Sequence, residues 1–215
     1  MNPVNISLYG ILDPEHCLGR SLGELARVSA ENGVSLIQYR DKKNTVRAMV
    51  DNARAIKHAL ADFNVPLIIN DRVDVALACE AEGVHLGQQD MHVSDARRIL
   101  GEAAIIGISI KTIEEAATCP VNSIDYAFVG GVFETQSKEN PTAIGINGWM
   151  ERANIIKNME YDLPVGAIAG IDASNAGSLI EVGCEGVAVI SALYKAGNVA
   201  SATMELSRIV NGGAV

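Results

Sequence analysis

The chain has 215 residues, enough for one α/β barrel or doubly wound domain with a full core. It is 48% apolar but only 4% aromatic, so that core must be built from Ala, Val, Ile and Leu. A formal charge of −9, from 17 basic and 26 acidic residues without a basic cluster, argues against nucleic acid as a partner, and no apolar run approaches the ~20 residues needed to cross a membrane.

Short β-branched runs alternate with stretches of helical period from one end to the other. The first predicted strand is 7–12, followed by a helix at 21–32; strand 36–40 precedes helix 45–63, and strand 67–70 precedes helix 73–81. Strand 83–86 leads to helix 94–100, strand 105–110 to helix 112–118, and strand 126–129 to helix 148–159. Strand 165–169 with helix 174–182, then strand 187–191 with helix 198–210, complete the series. Ser, Thr, Asn or Asp near several helix starts offers a side-chain oxygen to free amides. Eight β/α repeats without a hairpin predict a single (β/α)8 TIM barrel over 1–215 rather than an open sheet of about five or six strands. Connection 130–148 is the one long stretch without clear periodicity, and such loops inside a compact domain are usually functional or disordered.

The polar start MNPVNIS lacks the character of a secretion signal. Cys17, Cys79, Cys119 and Cys184 are widely spaced and form no CxxC pair, which reads as reduced, buried thiols. The expected compartment is the cytoplasm.

In such a barrel the strand C-termini share one mouth, so distant segments can converge there. The second strand ends in QYRDK, and alternation sends Gln38, Arg40 and Lys42 to one side, an amide and two cations suited to a pyrophosphate. The same residues also fit a solvated strand end with one surface ion pair. The third strand runs into Asn70 and Asp71, and the fourth passes through GVHLG to Gln88, Gln89 and Asp90. A carboxylate on each of two neighbouring strands could hold Mg²⁺, which needs only one or two protein carboxylates. Capping is the bland reading: Asp71 for the helix near Val73, Asp90 for a turn. The cations of QYRDK tip the balance to the metal.

Ser109, in GISIKT, could bond a substrate ring or its own backbone. The segment GGVFETQSKENP, with Thr135, Gln136, Ser137 and Lys138, reads as anion recognition, although it lacks P-loop spacing. Gly170 and Ser191 stand where loops seven and eight of these barrels commonly bind phosphate; the alternative is a tight turn and a helix cap, which would serve the fold without any ligand. His16, His58, His85 and His92 share no metal-ligand spacing, so a histidine metal site is not expected.

The ordered pieces QYRDK, IIND, GVHLGQQD, GIS, FETQSK, AIAGI and VIS, one per strand, resemble the thiamine-phosphate synthase family over about residues 38–191. The resemblance implies a transferase that couples a hydroxymethylpyrimidine diphosphate to a thiazole phosphate, releasing pyrophosphate. It assigns Gln38, Tyr39, Arg40, Asp41, Lys42, Asn70, Ser109 and Lys138 to the pyrimidine diphosphate, with Arg40, Lys42, Lys138 and Ser109 closest to the chemistry. Thr135, Gln136, Ser137, Gly170, Ile190 and Ser191 fall to the thiazole phosphate, and Asp71 and Asp90 to Mg²⁺. It also implies two phosphorylated small-molecule substrates, no nucleic acid or membrane, and compatibility with a homodimer. Three positions depart from the commoner pattern: Lys111 replaces His, Gly131 replaces Pro, and Ala169 replaces the first of two glycines. Two alternatives stay open: a related barrel that tautomerises a thiazole phosphate, and one that binds a phosphorylated ligand without chemistry.

Overall fold

The computed structural model describes residues 4–134, 143–160 and 162–212. Eight parallel strands close into a barrel in sequence order, with the first pairing with the last. They are β1 Leu8–Leu12, β2 Leu36–Tyr39, β3 Leu67–Asn70, β4 Gly83–Leu86, β5 Ile105–Ile110, β6 Tyr126–Val129, β7 Val165–Ile168 and β8 Val187–Val189. The helices are α1 Leu22–Glu31, α2 Val46–Ala59, α3 Val73–Cys79, α4 Val93–Leu100, α5 Ile113–Ala117, α6 Gly145–Met159, α7 Ala176–Glu181, α8 Ser191–Tyr194 and α9 Val199–Val210. Both faces of each strand are covered, one by the barrel interior and one by helices, which is why the strands read as near-continuous apolar runs.

The predicted elements all form, and their boundaries move for identifiable reasons. Ser21, Thr45, Thr112 and Asn198, read as first helical residues, are caps whose side chains accept amide hydrogens, and Thr112 with Glu115 forms a reciprocal capping box. Strand β7 stops at Ile168 because Ala169 turns to φ 93°, and β8 stops at Val189 because α8 begins at Ser191. That short eighth helix has no counterpart among the predicted elements.

Two cores result. The larger packs helices on the barrel exterior, while Tyr9, Ile11, Leu36, Ile68, Tyr126, Phe128 and Ala188 fill the interior. Their rings need space that glycine supplies. A Cβ at Gly107 would run into the Tyr126 ring, and one at Gly166 into the Phe128 ring. Tyr9 packs edge-on to Tyr126 at 5.8 Å between centroids, and the His85 ring stacks on Tyr126 at 5.5 Å. Among the described residues, no helix is long and apolar enough to cross a membrane.

Candidate active site

The barrel interior opens at the strand C-termini into a cavity of about 60 Å³, lined by Tyr9, Gln38, Arg40, Asn70, His85, Ser109 and the apolar Ile168 and Ile190, among others. Strand alternation turns Gln38 inward and nearly out of solvent, whereas its neighbour Tyr39 faces outward between barrel and helices. The Tyr39 hydroxyl donates to Asp41 at 2.7 Å and accepts from Asn52 at 3.0 Å, and Asp41 also accepts the amides of Lys43 and Asn44. The side chains of Tyr39 and Asp41 therefore build the turn after β2 and do not line the cavity.

Arg40 reaches the rim and pairs with Asp13, a carboxylate only 2% exposed at the end of β1. Sequence reasoning did not single out Asp13, whose partner lies 27 residues away. A buried charge is tolerated only when paired. Here the pair also fixes the guanidinium of Arg40 over the cavity.

Lys42 pairs with Asp71 across the gap between the second and third strand ends. Asp71 sits at φ 60°, a left-handed conformation that Asp tolerates better than most residues, and its amide donates to the His85 carbonyl at 2.9 Å. It does not cap α3, whose N-cap Arg72 makes no capping bond. Asp90 accepts the Gly87 amide at 2.7 Å, so the turn-capping reading of Asp90 holds, and it also lies within hydrogen-bonding reach of Asp71. Burial raises the pKa of Asp71 above the ordinary carboxyl value; the facing Asp90 adds to the rise and Lys42 opposes it.

Ser109 does not turn to its own backbone. Its hydroxyl lies 2.9 Å from Nε2 of His85, whose Nδ1 lies 3.2 Å from the Tyr126 hydroxyl. His85 thus points into the barrel. Gln88 donates to the Ser109 carbonyl at 2.8 Å and ties the loop after β4 to β5.

On the far side, Ile190 lines the cavity and Ser191 opens α8. Gly170 has φ 66°, and a Cβ there would strike the Glu134 carbonyl oxygen. The Phe133 amide donates to the Ala169 carbonyl at 3.1 Å, stapling the chain after β6 to the end of β7. Thr135, Gln136, Ser137 and Lys138 lie outside the described residues.

The mouth therefore has charge at one rim, neutral donors in its throat and apolar surface opposite, an arrangement suited to a flat polar ring carrying an anionic tail. The family model described as thiamine monophosphate synthase matches residues 8–193. The chain belongs to that family. A thiamine-phosphate synthase from Agrobacterium fabrum is 48% identical over 212 residues, covering 98% of this chain and 96% of the relative. One from Leptospira biflexa is 43% identical, covering 93% and 95%. The solved thiamine phosphate pyrophosphorylase from Pyrococcus furiosus superimposes with a TM-score of 0.84 at 33% identity, covering 98% of each chain.

Two of the three positions that the resemblance marks as departures, Gly131 and Ala169, fall on left-handed backbone. Gly131 has φ 79°, which proline cannot adopt. Ala169 keeps a conformation that glycine would take without strain. Lys111 is exposed; its amide is held by Glu115, and its carbonyl accepts from Arg152 at 2.9 Å.

Proposed function

We propose that the chain joins 4-amino-2-methyl-5-(diphosphooxymethyl)pyrimidine to a thiazole phosphate, giving thiamine phosphate and pyrophosphate by a Mg²⁺-assisted dissociative substitution. The observation that carries this reading is the meeting of Asp71 and Asp90 beside Arg40 and Lys42 at the strand C-termini, in a chain of this family.

The donor set suits the ion. Two facing carboxylates, one of them partly desolvated, call for a cation between them, and their oxygens are the hard donors that Mg²⁺ prefers. Among the described residues no group of three or more His, Cys, Asp or Glu side chains is arranged to hold a metal, so most coordination would come from water and substrate phosphate, as Mg²⁺ commonly accepts. When bound, Mg²⁺ supplies Lewis-acid neutralisation of diphosphate charge.

The remaining work belongs to the chain. Arg40, held by Asp13, offers a planar fork to the diphosphate; Lys42 and Lys138 add point charges. Lys42 trades part of its contact with Asp71 for the anion. Gln38, Asn70 and Ser109 meet the pyrimidine end, while any contact from Tyr39 or Asp41 comes through backbone. As the C–O bond to the diphosphate breaks, positive charge on the CH₂ spreads into the aminopyrimidine ring, and donors aimed at the departing oxygens are worth roughly 3 kcal/mol each. Thr135, Gln136, Ser137, Gly170, Ile190 and Ser191 hold the thiazole phosphate and so bring its nitrogen to that carbon. No protein nucleophile is needed.

Mixing both substrates with Mg²⁺ should release pyrophosphate in step with thiamine phosphate, and either substrate alone should release almost none. No release from the mixture at any Mg²⁺ concentration would overturn the reading.

A further inference from the structure

Inside the barrel, five side chains form an unbroken row of hydrogen bonds. Nε2 of Gln38 donates to the Tyr9 hydroxyl at 2.8 Å, and the Tyr9 and Tyr126 hydroxyls lie 2.9 Å apart. The Tyr126 hydroxyl lies 3.2 Å from Nδ1 of His85, and Nε2 of His85 lies 2.9 Å from Oγ of Ser109. The row is dry: Tyr126 is 0% exposed, Tyr9 1%, Gln38 2% and His85 7%.

A row of this kind has a direction, because each hydroxyl carries one proton. The Gln38 amide nitrogen can only donate. Tyr9 therefore receives from Gln38 and gives its proton to Tyr126; Tyr126 gives its own to Nδ1 of His85. His85 is then the neutral Nε2–H tautomer and donates to Ser109. The opposite tautomer would have His85 donate to Tyr126 and Tyr126 donate to Tyr9. Among the described residues Tyr9 has no third partner, so its buried proton would be left without an acceptor, at the full desolvation cost of that group. Ionisation does not interrupt the row, since burial pushes both phenols above their ordinary value.

We propose that this row is a one-way relay in which Tyr126 is a positioning residue, fixing the His85 tautomer and so making Ser109 a hydrogen-bond donor towards the reacting end of the pyrimidine substrate. The assignment rests on the proposed reading of Ser109 as a pyrimidine contact. Among the described residues the Ser109 proton is not used within the row and is left for a ligand, and Ser109 lines the cavity. It fits a hydrogen-bond acceptor on the substrate, above all an oxygen that gains negative charge as its bond to carbon breaks, where such a bond strengthens in the transition state. Gly107 belongs to the same device, since only glycine at that position leaves the Tyr126 ring its place.

Imidazole ¹⁵N NMR of the resting protein reads the tautomer without reference to activity. His85 should appear as a single neutral Nε2–H tautomer, and Tyr126→Phe, which keeps the ring, should abolish that preference; an Nδ1–H tautomer in the unmodified protein would overturn the relay. In steady-state assays Tyr126→Phe should lower kcat about tenfold with KM changed less than about twofold. In a Ser109→Ala background the same substitution should have no further effect. A fully active Tyr126→Phe, or losses that simply multiply with Ser109→Ala, would also overturn it. Should the proposed substrates prove wrong, the NMR measurement still decides the relay.

Discussion

The two halves of the barrel mouth are built by different means. From β1 to β4 the rim consists of charged side chains in opposition: Asp13 with Arg40, and Lys42 with Asp71 beside Asp90. From β6 to β8 the described rim is shaped by backbone, with Gly131, Ala169 and Gly170 at positive φ and Ile168 and Ile190 presenting apolar surface. One half should therefore fail when a charge is removed, and the other when a methyl group is added.

The largest effect belongs to the charged half. Asp71→Asn and Asp90→Asn should each lower kcat about 100-fold or more at saturating substrate, on the scale of losing one aimed electrostatic group. Yet Asp71→Asn should melt no lower than the unmodified protein in metal-free buffer, and up to about 3 °C higher. It removes a partly buried charge from beside Asp90, asparagine suits φ 60°, and the lost Lys42 pair is weak because that lysine is 49% exposed. Thermal melts with and without Mg²⁺ check this, and a marked loss of stability would blur the contrast between function and folding.

For the backbone half, Gly170→Ala should raise KM for the thiazole phosphate about tenfold and leave KM for the pyrimidine diphosphate within about twofold. The added Cβ would press on the Glu134 carbonyl from a left-handed residue, displacing the chain stapled there. Equal changes in both KM values would break the division between halves.

Ala169→Gly runs the opposite way. Left-handed backbone costs alanine about 1–2 kcal/mol, and the glycine penalty in the unfolded chain returns about half of that, so a net gain of ~0.5–1 kcal/mol is expected in denaturant titrations.

The smallest effect separates mouth from core. Burial pushes Cys17 and Cys119 up to about 11 and Cys184 up to about 12, and it raises Tyr9, Tyr126 and Tyr194 above the ordinary phenol value. Each folded value exceeds the unfolded one. Their contribution is fully present below the ordinary thiol value of 9.0 and the ordinary phenol value of 10.0, and it is lost as pH rises beyond them. Urea midpoints should show no loss from these groups between about pH 7 and 8, then fall above about pH 9.

The barrel was legible because β/α alternation and helix caps are local signals. Four of the strands, β3 to β6, begin and end at the predicted residues. The end of β8 was not legible, because VAVIS continues in composition while Ile190 leaves the extended conformation and α8 starts at Ser191. The charged rim was legible for a similar reason: Gln38, Arg40, Asn70, Asp71 and Asp90 break apolar runs at strand ends. The throat was hidden by the covering of both strand faces, which removes the alternation that would show which way His85 or Tyr126 points. A usable signal remained in the scarcity of aromatics: Tyr9 and Tyr126 are tyrosines inside aliphatic strands, and a buried phenol needs a polar partner. Asp13 offered no such signal, since its partner lies 27 residues away.

Manganese(II), an ion visible to electron paramagnetic resonance, can stand in for Mg²⁺ in a direct test of the charged half. With inorganic pyrophosphate present, the unmodified protein should bind about one Mn²⁺ per chain, and the Asp71→Asn/Asp90→Asn double variant should lose that binding at least tenfold, on the scale of about 1.4 kcal/mol. Equal Mn²⁺ affinity in the two proteins would mean that these carboxylates do not hold the metal, and the account of the β1–β4 rim as a metal and diphosphate site would be wrong.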